Sequence, residues 1–111
     1  MNIEALKNSA LKVKELFEKY SEISDEAASA YKQNQVLIDE AISGEIISPT
    51  WRRVESGYFT KGEELPEYRD LFVAVAKMDL YLEGFNSENE FEEDARNRMK
   101  EARAKLYGSN A

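Results

Sequence analysis

The sequence predicts an all-α fold: a single compact bundle of about five helices, four of them long and one short. Apolar residues recur every three or four positions through most of the chain, as they do on one face of a helix. Residues that start or end helices stand at the borders of these stretches. The most hydrophobic run, residues 71–76, has the length of a buried strand, but its spacing continues helically to Leu82.

The first two helices are indicated by their apolar spacing and by their end residues. The first is expected at roughly 3–20, with Asn2 as a possible cap. The second is expected at about 25–42, after an N-cap at Ser24 and before Gly44, which is placed to end it.

A short helix at about 49–56 is predicted next, because proline at a first helical position costs no hydrogen bond. We expect Trp51 to anchor this helix in the core. Tyr58 and Phe59 follow it between two glycines, a composition typical of a structured loop whose aromatic rings fold back onto the core.

Two long helices complete the predicted bundle. The first, about 66–83, opens at Pro66 and contains the most hydrophobic run, so we expect it to be the central core helix. The second, about 88–107, begins at a capping box formed by Ser87 and Glu90. Its apolar face and its change from acidic first turns to basic later turns fit a helix whose charges match the helix dipole. That face consists of Phe91, Ala95, Met99, Ala102 and Leu106.

Composition limits the function. A chain of 111 residues is one ordinary domain, so residues 1–111 are read as a single helical unit. It contains no cysteine and no histidine, which removes the commonest general base and the usual ligands of transition metals. We therefore expect no enzyme activity, no metal and no cofactor. No apolar run resembles a signal peptide or a membrane span, so a cytoplasmic location is expected.

The charge favours a particular kind of partner. With 22 acidic and 15 basic residues the chain carries a formal charge of −7. Such a chain is repelled by nucleic acid and by anionic membranes, so neither is expected as a partner, whereas a basic protein is attracted. The alternative is that the acidity serves only solubility.

Two segments have both a structural and a functional interpretation. The acids of residues 88–94 are either the solvated first turns of a well-capped helix or a docking face for a basic partner. Residues 86–94, considered as a calcium-binding loop, lack the central glycine that such a loop needs. Trp51, Arg52 and Arg53 have the residue types of a binding hot spot, or else Trp51 is a core anchor whose two neighbouring arginines bridge nearby acids.

In size and charge the whole chain resembles the immunity proteins with which bacteria neutralise their own secreted toxins, of the colicin or contact-dependent growth-inhibition type. The resemblance implies an inhibitor that covers the active-site groove of a basic, nuclease-type toxin. The alternatives are a phage-type nucleic-acid mimic or anti-defence inhibitor, and a helical adaptor that self-associates; the oligomeric state is left open. The residues expected to contact a partner are Asp79, Glu83, Glu88, Glu90, Glu92, Glu93 and Asp94, with Tyr58 and Phe59 of the loop.

Overall fold

A computed structural model describes residues 1–54 and 68–107 of the chain. Within these residues all regular structure is helical, and there is no strand. The helices are α1 (Ile3–Ser21), α2 (Asp25–Ser43), α3 (Arg69–Leu82) and α4 (Glu88–Tyr107). The all-α prediction is confirmed, and the bounds of the long helices agree with the predicted ones to within three residues. The predicted opening at Pro66 lies outside the described residues.

The predicted helix ends of α1 and α2 are also confirmed. The Asn2 side chain accepts a hydrogen bond from the Ala5 N–H at 3.0 Å, and the Ser24 hydroxyl accepts one from the Ala27 N–H at 3.2 Å. Gly44 follows α2 in the left-handed conformation, with a φ of +80° that favours glycine. These contacts satisfy backbone groups that the helices themselves leave unpaired.

The core is built around α1, which packs against both α2 and α3. The prediction that the third long helix would be the central one was therefore wrong. The hydrophobicity of α3 suggested a helix that is buried on all sides, but its Phe72 and Val73 remain exposed. Small residues on α1, including Ser9 and Ala10, are fully or nearly fully buried and let its neighbours approach closely. The largest side chains enclosed in this core are Leu6, Val13, Phe17, Ile38, Leu71, Met78 and Leu82.

Residues 45–54 form a non-helical segment that runs from the end of α2 along α3. The helix predicted at 49–56 was wrong for its described part, residues 49–54. The Thr50 N–H donates to the Leu82 carbonyl at 2.9 Å, and the Val54 N–H donates to Asp79 Oδ1 at 2.9 Å. The backbone of this segment thus bonds to α3 instead of to itself, and the buried side chain of Val54 adds an apolar anchor.

Trp51 lies on this segment with 88% of its surface exposed, so the expectation that it anchors a helix in the core was wrong. The companion expectation for the two arginines is confirmed. Arg52 forms an ion pair with Glu40 of α2, and Arg53 forms one with Glu83 at 3.3 Å. The arginines therefore hold the segment to both helices while the indole ring remains in solvent.

The described residues contain four helices where about five were expected, and the last of them extends away from the core formed by α1, α2 and α3. Among the described residues, the contacts of α4 lie at its base, where Asn2 also donates to the carbonyl of Asn86, just before the helix, at 3.1 Å. None of the described α4 side chains is buried, and all those from 96 to 106 are exposed. The Cα radius of gyration of 16.4 Å exceeds the roughly 13 Å of a compact domain of this length.

Candidate functional site

A cleft of about 590 Å³ lies between α3 and the first turns of α4. We call it the α3–α4 cleft. Its apolar lining comes from Phe72, Val73, Ala76 and Leu80 of α3 and from Phe91 of α4. Phe72, Val73 and Phe91 are 42%, 55% and 40% exposed, which leaves them accessible to a partner.

The apolar lining follows from the way α3 meets the core. Leu71, Val75 and Met78 occupy the face that packs inward and are almost completely buried. Because each helical residue turns by about 100°, Phe72 lies off that face. The run of hydrophobic residues in α3 is therefore wider than the surface that α1 covers, and the remainder forms one wall of the cleft.

The opposite wall is held in place by two contacts at the base of α4. The rings of Phe85 and Phe91 meet edge to face, with centroids 5.3 Å apart. Lys77 Nζ of α3 lies 3.2 Å from Glu88 Oε1 of α4. An aromatic contact and an ion pair thus fix the first turns of α4 beside α3, while the rest of that helix extends into solvent.

The charge of the cleft is negative. Four carboxylates line it, against the single ammonium group of Lys77. A second cation, Arg53, reaches Glu83 at 3.3 Å from the 45–54 segment. Acidic groups beside exposed apolar side chains suit a ligand that is both basic and hydrophobic. The four carboxylates belong to Asp79, Glu83, Glu88 and Glu92.

Asp79 is the one acid of the cleft that is largely withdrawn from solvent. Burial raises the pKa of its carboxyl group to about 6. The hydrogen bond from the Val54 N–H and the charge of Arg53 lower that pKa, and the charge of Glu83 raises it. The group therefore changes charge close to neutral pH, at the point where the 45–54 segment joins α3.

The other predicted contact residues lie outside the cleft lining. Glu90 turns back along the chain, and its Oε2 accepts hydrogen bonds from the backbone and the side chain of Asn86 at 3.3 and 3.0 Å. Asp94 Oδ2 pairs with Arg98 Nε at 2.8 Å, and Glu93 is exposed further along α4. Tyr58 and Phe59 lie outside the described residues.

The capping box predicted at the start of α4 forms in altered shape. The Ser87 hydroxyl accepts from the Glu90 N–H at 3.1 Å, as the sequence predicts. The Glu90 carboxylate, however, bonds to Asn86 instead of completing the box at Ser87. Glu90 therefore has a structural role in shaping the turn before α4.

The sequence interpretation missed the apolar half of the cleft. The hydrophobic run 71–76, which includes Phe72, was expected in the central core helix, and Phe91 was expected on the apolar face of the last helix. The available signal was the excess of apolar residues in α3, whose run from Leu71 to Ala76 has no polar interruption. A helix that is buried on one side needs fewer apolar residues than this run contains.

Two general properties of the described residues bear on function. No described helix has the length and hydrophobicity that are needed to cross a bilayer. The described aspartate and glutamate side chains include no group of three or more that could hold a metal ion. Comparison with known proteins adds no relative, since no protein-family model, curated protein or solved structure matches the chain significantly.

Proposed function

We propose that this protein binds a basic protein partner in the α3–α4 cleft and inhibits it, in the manner of a toxin-immunity protein. The observation that carries the proposal is the coincidence of exposed aromatic side chains with four carboxylates in one cleft. Aromatic rings supply contact area, and carboxylates select for lysine and arginine. The absence of catalytic activity stays a prediction.

The geometry favours a partner element with an apolar ridge flanked by basic side chains. Phe72 and Phe91 offer two exposed rings from opposite walls of the cleft. Glu88 and Glu92 lie one helical turn apart on α4, so both carboxylates border the same side of the cleft. A helix or loop carrying leucine or aromatic residues beside lysine or arginine would satisfy both features.

Net charge supports the inhibitory part of the proposal. A protein of charge −7 is attracted over a distance to a basic enzyme, which raises the association rate at low salt. The phosphate-binding groove of a nuclease is rich in lysine and arginine, and carboxylates can occupy it in place of phosphates. A partner of this class would therefore be captured quickly and blocked at its active site.

A nucleic-acid mimic is less well supported. The second half of α4 carries five basic residues, all of them exposed, which interrupt any continuous acidic surface along that helix. Those residues are Arg96, Arg98, Lys100, Arg103 and Lys105.

The test compares three forms of the tagged protein in affinity capture from the native host. The cleft variant carries Glu88→Lys and Glu92→Lys. A matched control carries Glu22→Lys and Glu45→Lys, which make the same change in net charge at exposed positions that do not line the cleft. Circular dichroism establishes that all three forms are equally helical.

We expect the wild type and the control to retain the same basic protein in equimolar amount after a high-salt wash, and the cleft variant to lose it. The purified partner is then assayed for nuclease activity, which one equivalent of wild type should abolish. Equal loss of the partner from both variants would show that net charge, and not the cleft, determines binding. An active partner that remains uninhibited in the complex would refute the inhibitory role.

A further inference from the structure

The apolar face of α4 has no partner among the described residues. Met99 and Leu106 are 59% and 69% exposed, and Phe91 is 40% exposed despite its contact with Phe85. Together with Ala95 these residues lie on one stripe with helical spacing. An exposed stripe of this length, on a helix that extends from the core, indicates a surface that another molecule covers.

We propose that two copies of this chain pair through α4 in antiparallel orientation. The proposal concerns a surface that extends beyond the α3–α4 cleft and does not depend on the inhibitory function. Its basis is that the apolar stripe of α4 is nearly symmetric on reversal, and that the acidic first turns of one copy then lie beside the basic last turns of the other.

In an antiparallel pair, the apolar stripe of one copy places side chains of similar size opposite those of the other. When Phe91 lies opposite the partner's Leu106, the spacing of a helix places Ala95 opposite the partner's Ala102. Met99 then lies close to the twofold axis. Large side chains thus meet at the two ends and the middle of the pair, while small alanines meet between them. This alternation lets two helices pack at an interaxial distance of about 8–10 Å.

The charges match in the same alignment. A twofold axis perpendicular to both helices brings each flank of the stripe against the same flank of the other copy. Acidic first turns then face basic later turns, because the two helices run in opposite directions. Glu92 then lies beside the partner's Arg103, and Asp94 lies beside the partner's Lys105. Near the twofold axis, Arg98 lies between its own counterpart and the partner's Glu101.

Parallel pairing lacks this complementarity. It would place the acidic turns of both copies, residues 88–94, beside one another, and the basic turns together as well. Like charges at such distances repel. The charge order along α4 therefore selects the antiparallel arrangement and a second copy of this chain as the occupant.

The contact is expected to be reversible. A 20-residue helix is about 30 Å long, and only five apolar side chains per copy lie on the stripe. The surface area buried in this interface should be smaller than roughly 1,200 Å², the lower limit for stable protein–protein interfaces. We therefore expect a dimer that forms in the micromolar range and dissociates on dilution.

Sedimentation equilibrium of the full chain tests the stoichiometry. The mass should rise from 12.7 kDa at low concentration towards twice that value.

Lys105→Glu changes two symmetry-related attractions into repulsions and should weaken the dimer roughly tenfold. The matched control Lys100→Glu makes the same charge change on the side of α4 away from the stripe and should leave the dimer unchanged. Neither substitution alters the lining of the α3–α4 cleft, so failure here is distinct from failure of the proposed function.

Disulfide crosslinking tests the orientation, and the cysteine-free chain makes single-cysteine variants unambiguous. Met99→Cys should crosslink two copies on mild oxidation, because the position lies near the twofold axis. Leu106→Cys should not, since in the antiparallel pair the two positions are about 22 Å apart, far beyond disulfide reach.

A chain that stays at 12.7 kDa at millimolar concentration overturns the proposal. Efficient crosslinking through Leu106→Cys, or a dimer that Lys105→Glu does not weaken, overturns it as well.

Discussion

Replacing Asp79 with asparagine tests the account of the cleft's least exposed acid. Asparagine keeps an oxygen that can accept the Val54 N–H, which donates to Asp79 Oδ1 at 2.9 Å, but it cannot ionise. Burial raises the pKa of Asp79 from 3.8 to about 6 in the folded protein. The folded state therefore binds the proton more readily than the unfolded chain does. The contribution of Asp79 to stability is fully present below about pH 4 and is lost as the pH rises through about 6.

The size of the effect follows from the shift. Each pH unit corresponds to about 1.4 kcal/mol, so a shift of about two units sets an upper limit near 3 kcal/mol. Asp79 retains some contact with solvent, which screens its charge, so we expect on the order of 1–2 kcal/mol. Relative to the Asp79→Asn variant, the wild type should lose this amount of stability between pH 4.5 and pH 7.5.

Urea denaturation at pH 4.5 and pH 7.5 measures the difference in the free energy of unfolding between the wild type and the Asp79→Asn variant. Taking the difference removes the pH dependence of the other acids, provided that they titrate alike in both. Asp39→Asn is the matched control, because that aspartate is exposed on α2. The raised pKa of Asp79 would be refuted if the difference in the free energy of unfolding between wild type and variant were the same at both pH values. A change in the opposite direction would refute it as well.

Further predictions concern packing and backbone conformation. Met78→Ala should lower the free energy of unfolding by about 2–5 kcal/mol, because Met78 is fully buried, whereas Met99→Ala should change it by less than about 0.5 kcal/mol in dilute solution. An equal loss in the free energy of unfolding for the two variants, measured by urea denaturation, would contradict the position of α4 outside the core. Gly84→Ala should cost roughly 1–3 kcal/mol, since Gly84 has a φ of +105° and an added Cβ would lie 2.6 Å from Pro49 Cγ. An unchanged thermal midpoint would contradict that close approach. Ser24→Ala should cost about 1 kcal/mol by removing the cap of α2, and wild-type stability in the same denaturation assay would show the cap to be dispensable.

The positions of the long helices could be predicted from the sequence because their signals are local. The stripe of α1 and the caps at Asn2 and Ser24 depend on residues within one or two turns of each other. The 49–54 segment could not be predicted in this way. Its hydrogen bonds join Thr50 to Leu82, 32 positions away, and Val54 to Asp79, 25 positions away, and local propensity carries no information about such distant partners.

The candidate site was predictable only in its acidic half. Glu88 and Glu92 stand out as part of a dense acidic stretch, and both line the cleft. Their apolar counterparts, Phe72 and Phe91, look like core residues in the sequence, because an amphipathic pattern shows that a face avoids water without showing what covers it. Which part of α3 remains exposed depends on where α1 packs, and that is a property of the tertiary structure.

Docking of a basic partner in the α3–α4 cleft can be mapped residue by residue. The most direct measurement is a two-dimensional amide NMR titration of the isotope-labelled protein with the purified partner obtained by capture. If the partner docks in the cleft, shift changes should concentrate at Phe72, Ala76, Glu88 and Phe91, while the exposed side of α2 stays unperturbed. Perturbations centred on α2 or on the exposed face of α1, with the cleft residues unchanged, would contradict it.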